Sequence, residues 1–232
     1  MFNNYLIVIP TYNESGNIKK LVNKLVQYDF HVLVVDDNSP DNTFEIVKNH
    51  KSYGENLFGI LRTKNKGYGK SVVEGFKYGV EKNYEFIIQM DSDFSHRIED
   101  LLDMCELSKN YDLVVGSRYV NGGKIIGWAF HRKLLSKYAN LFAKSITKSN
   151  INDLTTGFRV YSKNLVRSID FQNIESNGYS FLVEIIHRIN KDNFKITEYP
   201  ITFIDREIGK SKMSLKIIFE SITNLLKIYF SK

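Results

Sequence analysis

Phe86-Ile87-Ile88-Gln89-Met90-Asp91-Ser92-Asp93-Phe94-Ser95-His96 decides how the rest of the chain is read. An apolar run breaks off into two aspartates separated by one residue. Strand geometry carries such a run to the end of a sheet, where the chain turns into a loop holding both carboxylates near one point. Two such groups can grip a hard divalent cation and leave positions open for the phosphates of a nucleotide substrate. A D-x-D tripeptide alone is more often a solvated turn. Its place at a strand end, within an alternating β/α pattern, is what gives the metal reading weight.

That alternation extends in both directions. Upstream, Tyr5-Leu6-Ile7-Val8-Ile9 reads as a buried strand stopped by Pro10, and Asn13-Glu14-Ser15 opens a helix with Ile18, Leu21, Val22, Leu25 and Val26 at helical spacing. His31 to Val35 is a second strand ending in Asp36-Asp37-Asn38-Ser39-Pro40-Asp41, and Asp41 or Asn42 could cap the helix through Ile46 and Val47. Leu57 to Leu61 is a third strand, followed by a loop over Lys64 to Lys70 and a helix from Ser71 to Lys82. Downstream come a helix over Ile98 to Leu107 and a fifth strand, Asp112 to Gly116. Strands this apolar, alternating with helices, predict a mostly parallel sheet covered on both faces. Ligands of such sheets sit beyond the carboxyl ends of the strands. Tyr12/Glu14, Asp36/Asp37, Asp91/Asp93 and Ser117-Arg118 all fall there.

Past Arg118 the alternation loosens. Asn121-Gly122-Gly123 is a turn, and Trp128 to Lys148 reads as a helix bearing Arg132 and Ser136. Asp153 to Arg159 is loop-like and leads to a short strand at Val160-Tyr161. Tyr179 to Ile189 reads as a buried helix, and Phe194 to Phe203 as one or two strands interrupted by Pro200. Ile204 to Lys212 is a basic, glycine-containing loop. Leu215, Ile218, Phe219, Ile222, Leu225, Leu226 and Tyr229 then form one helical stripe.

The chain has 232 residues, 43% of them hydrophobic, which suits one sizeable α/β domain. Only three prolines and no low-complexity run argue against disorder. A net charge of +6 and a pI near 9.1 suit an anionic partner, such as nucleotide phosphates or a membrane face, or simply solubility. No nucleic-acid-binding signature is present, so nucleic acid is not expected as a partner. Cys105 is the single cysteine; it excludes an internal disulfide, fits a reducing cytosol and reads as an inert core thiol. Met1-Phe2-Asn3-Asn4 does not read as a secretory leader, and no stretch approaches the ~20 apolar residues of a spanning helix.

Several chemistries are disfavoured. Pro10-Thr11-Tyr12-Asn13-Glu14 stands where a dinucleotide fingerprint would need its glycines. Gly69-Lys70-Ser71 resembles the end of a P-loop, but Lys64 occupies the place of the first glycine. Gly67 and Gly69 either let backbone approach a ligand or only make a tight turn. Asp36-Asp37-Asn38 lacks the glycine and distal glutamate of a calcium loop. Its carboxylates could accept hydrogen bonds from a base or ribose, or serve as caps; for Asp41 the capping role is the better reading. The five histidines show no zinc spacing, and His96 is either a support for the aspartate pair or a surface histidine. No G-x-S-x-G elbow is present. Arg118, Arg132, Arg206 and Lys212 would make an anion clamp if they converge.

Taken together, Ile9-Pro10-Thr11-Tyr12-Asn13-Glu14, Val35-Asp36-Asp37-Asn38-Ser39-Pro40-Asp41 and Met90-Asp91-Ser92-Asp93-Phe94-Ser95-His96 resemble the family 2, GT-A-fold glycosyltransferases. Gly116-Ser117-Arg118-Tyr119, Trp128 with Arg132 and Ser136, Thr156-Gly157-Phe158-Arg159, and Phe203-Ile204-Asp205-Arg206 through Gly209 to Ser211-Lys212 narrow the resemblance to dolichol-phosphate and polyprenyl-phosphate mannose synthases. It implies a Rossmann-like α/β sheet with helices on both faces and an inverting hexosyltransferase. That enzyme would move mannose from GDP-mannose to a dolichol or polyprenyl monophosphate, with Mg²⁺ or Mn²⁺.

The resemblance also assigns residues. Pro10, Tyr12, Glu14, Val35 and Asp37 would hold the nucleoside, with Met90 and Ser92 beside the nucleotide-sugar. Asp91 and Asp93 would bind the metal, and Ser95 stands at a position that is a glutamine ligand in some relatives. Arg118, Arg132 and Ser136 would contact the acceptor phosphate and take part in transfer, while Arg206 and Lys212 would close over the donor phosphates. A lipid monophosphate is largely dianionic at neutral pH and needs no protein base; Asp153 is the candidate if one is required. Asn38 and Asn42 depart from the pattern, standing where many relatives have glycine.

Residues 1–212 are expected to form the catalytic domain and 213–232 an amphipathic helix. Residues 206–232 hold six Lys or Arg against two Glu, a net of +4, so that helix either lies on an anionic membrane or packs on the domain. The expected setting is peripheral, on the cytosolic face of a membrane, with a membrane-anchoring subunit among the partners this allows. The alternatives are a transferase using UDP-glucose or another nucleotide-sugar, with a polyprenyl phosphate or a soluble glycan acceptor, and a non-catalytic nucleotide-sugar-binding subunit.

Overall fold

The computed structural model describes residues 2–174, 176, 178–190, 192–206 and 223. Lys212 and all of the expected C-terminal helix except Thr223 lie outside the described residues. Seven strands form a central sheet in the order β3-β2-β1-β4-β7-β5-β8. They are β1 (Tyr5–Thr11), β2 (His31–Asp36), β3 (Leu57–Leu61), β4 (Phe86–Gln89), β5 (Leu113–Ser117), β7 (Arg159–Ser162) and β8 (Ile196–Pro200). β6 (Lys124–Ile126) and β9 (Thr202–Ile204) pair in parallel as a separate ribbon. The helices are α1 (Ile18–Val26), α2 (Thr43–Lys48), α3 (Tyr68–Glu81), α4 (Ile98–Ser108), α5 (Phe130–Thr147), α6 (Lys163–Ser168) and α7 (Gly178–Ile189).

Strand side chains alternate between faces, and this sorts the core into two layers. Leu6, Val8, Leu33, Val35, Ile87 and Val115 pack on α3, α6, α7 and the last turns of α5. Ile7, Ile9, Val32, Val34, Ile88 and Val114 pack on α1, α2 and α4. Both faces being covered explains strands that are apolar throughout.

The expected sheet is present, with two differences that matter for the site. β7 runs antiparallel between β4 and β5, so its first residue stands at the same end of the sheet as the last residues of the parallel strands. β1 also continues through Pro10 rather than stopping there, in register with Val35. The β4 ladder ends at Val8↔Gln89, so a residue lacking an N–H falls where one side of β1 is unpaired.

Local chemistry moves several element ends. α1 begins at Ile18 because Asn17 and Ile18 N–H groups both bond the Glu14 carbonyl in a preceding turn. The Asp41 carboxylate accepts from the Thr43 backbone (3.1 Å) and hydroxyl (2.5 Å), so Asp41 anchors the start of α2. Asn38 and Asn42 sit at φ +55° and +65°, which accounts for asparagine at positions that favour glycine: Asn tolerates the left-handed region better than other side chains.

Cys105 lies on the buried face of α4, and burial pushes its thiol well above the ordinary range. The thiol therefore stays neutral and shielded. A disulfide reagent should label nothing in the native chain and Cys105 only after denaturation; fast labelling of folded protein would contradict this packing.

Candidate active site

The carboxyl end of β4 opens into a strained turn. Phe94 holds φ +61°, a left-handed conformation that costs a bulky residue about 1–3 kcal/mol and is typical of functional loops. The turn keeps Asp93 buried and Asp91 about one-third exposed. Loss of hydration in the cleft pushes the Asp91 carboxyl well above the usual carboxylate range, and repulsion from Asp93 adds to it. Arg206, Tyr68 and Arg118 pull the other way. Arg206 Nη2 lies 3.3 Å from Asp93 Oδ2, and the Ser95 N–H donates to Asp93 Oδ1 at 3.1 Å.

His96 is not a surface histidine. It is buried, stacked on Phe158 at 4.4 Å with an interplanar angle of 5°, and its Nδ1 accepts the Asp91 N–H at 3.2 Å. Burial drives its pKa down to about 4. A neutral imidazole thus orients the turn.

A buried relay reaches Asp91 from beneath. Arg159 Nη1 donates to Tyr161 Oη (3.4 Å), Tyr161 Oη to Gln89 Oε1 (3.2 Å), Gln89 Nε2 to Tyr68 Oη (2.8 Å), and Tyr68 Oη to Asp91 Oδ1 (3.3 Å). Gly157 makes this approach feasible: a Cβ there would collide with Tyr68 Oη and stand 3.2 Å from Asp91 Oδ1. Sequence reasoning missed Tyr68 and the relay. The available signal was a glutamine within an otherwise apolar, fully buried strand.

At the ends of β1 and β2 the structure places Pro10, Tyr12, Glu14 and Asp37 together, with the Asp37 N–H bonded to the Thr11 carbonyl at 3.1 Å. Tyr12 is exposed. The Asp37 carboxylate already holds Arg62 Nη1 (2.5 Å), the Gly67 N–H (2.6 Å) and the Ser71 hydroxyl (3.0 Å). Gly67 is therefore a donor to Asp37, and Gly69 packs against Phe181. The Val35 and Met90 side chains are fully buried in the two core layers, and Ser92 is buried as well. Arg62, absent from the sequence-based set, sits among these groups.

A second cluster surrounds Trp128. Arg118 lies 5.4 Å from its ring centre and Arg132 4.0 Å, within cation–π range. Burial pushes the Tyr119 phenol up, while Arg118 and a Ser136 contact pull it down, which puts Ser136 in the same cluster. Arg118 is locked on Asp153 by Nε–Oδ2 and Nη2–Oδ1 bonds of 2.7 Å each, and its backbone N–H adds a third at 3.0 Å. Asp153 has no exposed surface; it is the counter-ion of Arg118.

Arg132 Nη1 pairs with Asp205 at 3.1 Å, and Asp205 Oδ1 accepts the Arg206 N–H at 3.2 Å. The Asp205-Arg206 dipeptide thus joins the two clusters. Its position is fixed by backbone bonds from Ile204 to Ser95 and from Asp205 to Ile126.

The donor set suits a hard cation. Asp91 and Asp93 offer carboxylate oxygens, the preferred ligands of Mg²⁺ and Mn²⁺, and the Ser95 hydroxyl oxygen is buried without a hydrogen-bond partner. Among the described residues no three His, Cys, Asp or Glu side chains gather to enclose a metal. An ion held here would complete its shell from water and substrate oxygens.

The sequence profile of glycosyl transferase family 2 matches residues 6–170. The chain belongs to this family. An undecaprenyl-phosphate mannosyltransferase of Micrococcus luteus is 37% identical over 224 residues, 96% of this chain and 92% of that protein. A polyprenol monophosphomannose synthase of Mycolicibacterium smegmatis is 35% identical over 221 residues, 94% and 83% of the two chains. Glucosyl-3-phosphoglycerate synthase from Mycobacterium tuberculosis, solved with Mn²⁺, UDP and glucosyl-3-phosphoglycerate, shares the fold with a TM-score of 0.69 at 15% identity. That superposition covers 97% of this chain and 79% of the other. In this family 2 chain the GT-A sheet thus presents two charged clusters at one end.

The buried Arg118–Asp153 pair yields a stability prediction. Asp153→Asn leaves a guanidinium without its counter-ion, and breaking a buried pair costs about 3–5 kcal/mol. Chemical denaturation should show that loss, with much of it regained in an Arg118→Met/Asp153→Leu double variant. A single variant of native stability that loses all transfer activity would instead mark Asp153 as a base.

Proposed function

We propose that the chain is an inverting mannosyltransferase that uses GDP-mannose and a polyprenyl monophosphate acceptor. A phosphate oxygen of the acceptor bonds to the anomeric carbon as the bond from that carbon to the β-phosphate oxygen of the nucleotide breaks. GDP leaves, and polyprenyl-phosphate mannose forms. Residues 1–212 are assigned as the catalytic domain and 213–232 as an amphipathic helix. The enzyme works peripherally at the cytosolic face of a membrane, where its acceptor is found.

The observation that carries this reading is the engagement of Asp153. Its carboxylate is spent on Arg118, so the acceptor best suited to the site brings its own ionised oxygen. A phosphate monoester does so, with a second pKa of about 6 by analogy with phosphoamino acids. Arg118, Arg132 and Ser136 then receive the acceptor phosphate beside Trp128, whose indole N–H is buried without a hydrogen-bond partner. The two curated relatives named for polyprenyl-phosphate mannose transfer match nearly the whole chain.

On the donor side, Tyr12, Glu14 and Asp37 border the nucleoside position. Asp91 and Asp93, with Ser95 beside them, would hold Mg²⁺ or Mn²⁺, an ion present with UDP in the mycobacterial structure. When bound, the ion supplies positive charge for the departing diphosphate. Arg206, which pairs with Asp93, and Lys212 would face the donor phosphates. Arginine forks aimed at developing charge act most strongly in a water-poor cleft.

The test offers GDP-mannose, UDP-glucose and UDP-N-acetylglucosamine with a polyprenyl phosphate under metal-replete, reducing conditions. GDP-mannose should give the lipid-linked sugar, and Asp91→Ala or Asp93→Ala should lower its rate by about 10²-fold or more, the scale of removing a key electrostatic group. Transfer from a UDP-sugar only would reassign the donor. No lipid-linked product from any donor would end the reading, as would full activity of both aspartate variants.

A further inference from the structure

The groups beneath Asp91 are costly ones to place in a core. Arg159, Tyr161 and Gln89 have no exposed surface. Apolar side chains of similar size would fill this space without the cost of desolvating a cation, a phenol and an amide. Arg159 donates to neutral oxygens: Tyr161 Oη, the Leu182 carbonyl at 3.0 Å and the Leu154 carbonyl at 2.8 Å. Its Nε is buried without a hydrogen-bond partner. So expensive an arrangement calls for a role other than stability.

Arginine can only donate, and the bonds above it run in one direction. Tyr161 accepts from Arg159 and gives its own proton to the Gln89 carbonyl oxygen. The Gln89 amide then donates to Tyr68 Oη, which leaves the Tyr68 proton for Asp91 Oδ1. Tyr68 is the first residue of α3, and the N–H of Gly67 before it is bonded to Asp37 Oδ2 at 2.6 Å. The start of this helix is therefore tied to both carboxylates. On the far side of the Asp91 carboxylate, His96 Nε2 lies 3.8 Å from Oδ2. Gly157 keeps room for the phenol: its φ is not left-handed, so the requirement there is space, and a Cβ would collide with Tyr68 Oη.

We infer that Tyr68 is a positioning residue, whose phenol, aimed by the Gln89–Tyr161–Arg159 relay, holds the Asp91 carboxylate in its cation-binding orientation. Hydrogen bonds to a ligating carboxylate fix its direction, and removing such a partner costs metal affinity even though the ligand itself is intact. The inference rests on the reading of Asp91 and Asp93 as metal ligands. It adds that the affinity of that pair is set in the core, by groups that touch neither ion nor substrate.

Titration of Mn²⁺ onto the full chain, followed by the spin-resonance signal of the free ion, tests it without turnover. GDP is present in one series and UDP in a parallel one, each corrected for Mn²⁺ held by the nucleotide alone. Tyr68→Phe removes one hydroxyl and should weaken Mn²⁺ binding about tenfold or more, with little change in the thermal midpoint. Gly157→Ala, which displaces the phenol, should weaken it in the same direction. Gln89→Met keeps the phenol but not the amide that aims it, and should give a smaller loss. In a transfer assay, raising Mn²⁺ should restore the rate of Tyr68→Phe toward that of wild type. Wild-type Mn²⁺ affinity in Tyr68→Phe would overturn the positioning role, and a lowered midpoint with that affinity would make the bond purely structural. Mn²⁺ binding that is absent from wild type with both nucleotides, or untouched by Asp91→Ala, would instead overturn the metal reading beneath it.

Discussion

Two carboxylates one residue apart, turned into a poorly hydrated cleft, cannot both hold their charge without a cation nearby. This constraint at Asp91 and Asp93 organises the surrounding structure. Arg206 reaches Asp93, Tyr68 donates to Asp91, and His96 stays neutral and accepts the Asp91 N–H. The relay from Arg159 through Tyr161 and Gln89 fixes Tyr68 from below. Arg206, Tyr68 and Arg118 offset part of the repulsion, yet none offers the dense charge of a divalent ion. Under the proposed reading a divalent ion on these carboxylates would supply that charge.

Three of the site arginines flank the two clusters and are each paired with an aspartate: Arg118 with Asp153, Arg132 with Asp205, and Arg206 with Asp93. These pairs differ in what holds them. Arg118–Asp153 is buried and bidentate, with a backbone donor added, so it behaves as a fixed positive wall. The other two are partly exposed and share one dipeptide, so they exchange partners at lower cost. Under the proposed reading, a cation at Asp93 would compete with Arg206 for the same carboxylate. Any shift of Arg206 then pulls on Asp205 and so on Arg132, at the other cluster. The two halves of the site are joined by two residues rather than by a long network.

Much of the fold was legible because its signals are local. Apolar runs and period-3.6 patterns place β1 to β5 and α1, α4, α5 and α7 within a few residues, and the alternation of strands and helices fixes which ends share the site. Asn38 and Asn42 were visible as departures from glycine, and their positive φ values explain them. What the sequence hid depends on distant partners. Nothing in Arg159 to Ser162 announces that β7 inserts antiparallel between β4 and β5, and Lys124–Ile126 becomes a strand only because β9 pairs with it. The engagement of Asp37 by Arg62 and of Asp153 by Arg118 spans 25 and 35 residues of sequence, so both carboxylates looked more available than they are.

α5 shows a further limit of periodicity: an amphipathic pattern reports that a helix has an apolar face, but not what covers it. Only its last turns reach the core, through Ala143 and Ile146. The rest of its apolar surface faces outward, while the polar residues Arg132, Ser136 and Asn140 face in, an arrangement opposite to that of an ordinary surface helix. Inversion of this kind is costly in water and gains its sense beside a hydrophobic phase. Under the reading of a lipid-phosphate acceptor, one rigid helix then sets where Arg132 and Ser136 stand relative to the acceptor phosphate. An acceptor phosphate received by these two side chains would be held in place before transfer, so part of the entropy of bringing the reactants together is spent on binding rather than in the transition state.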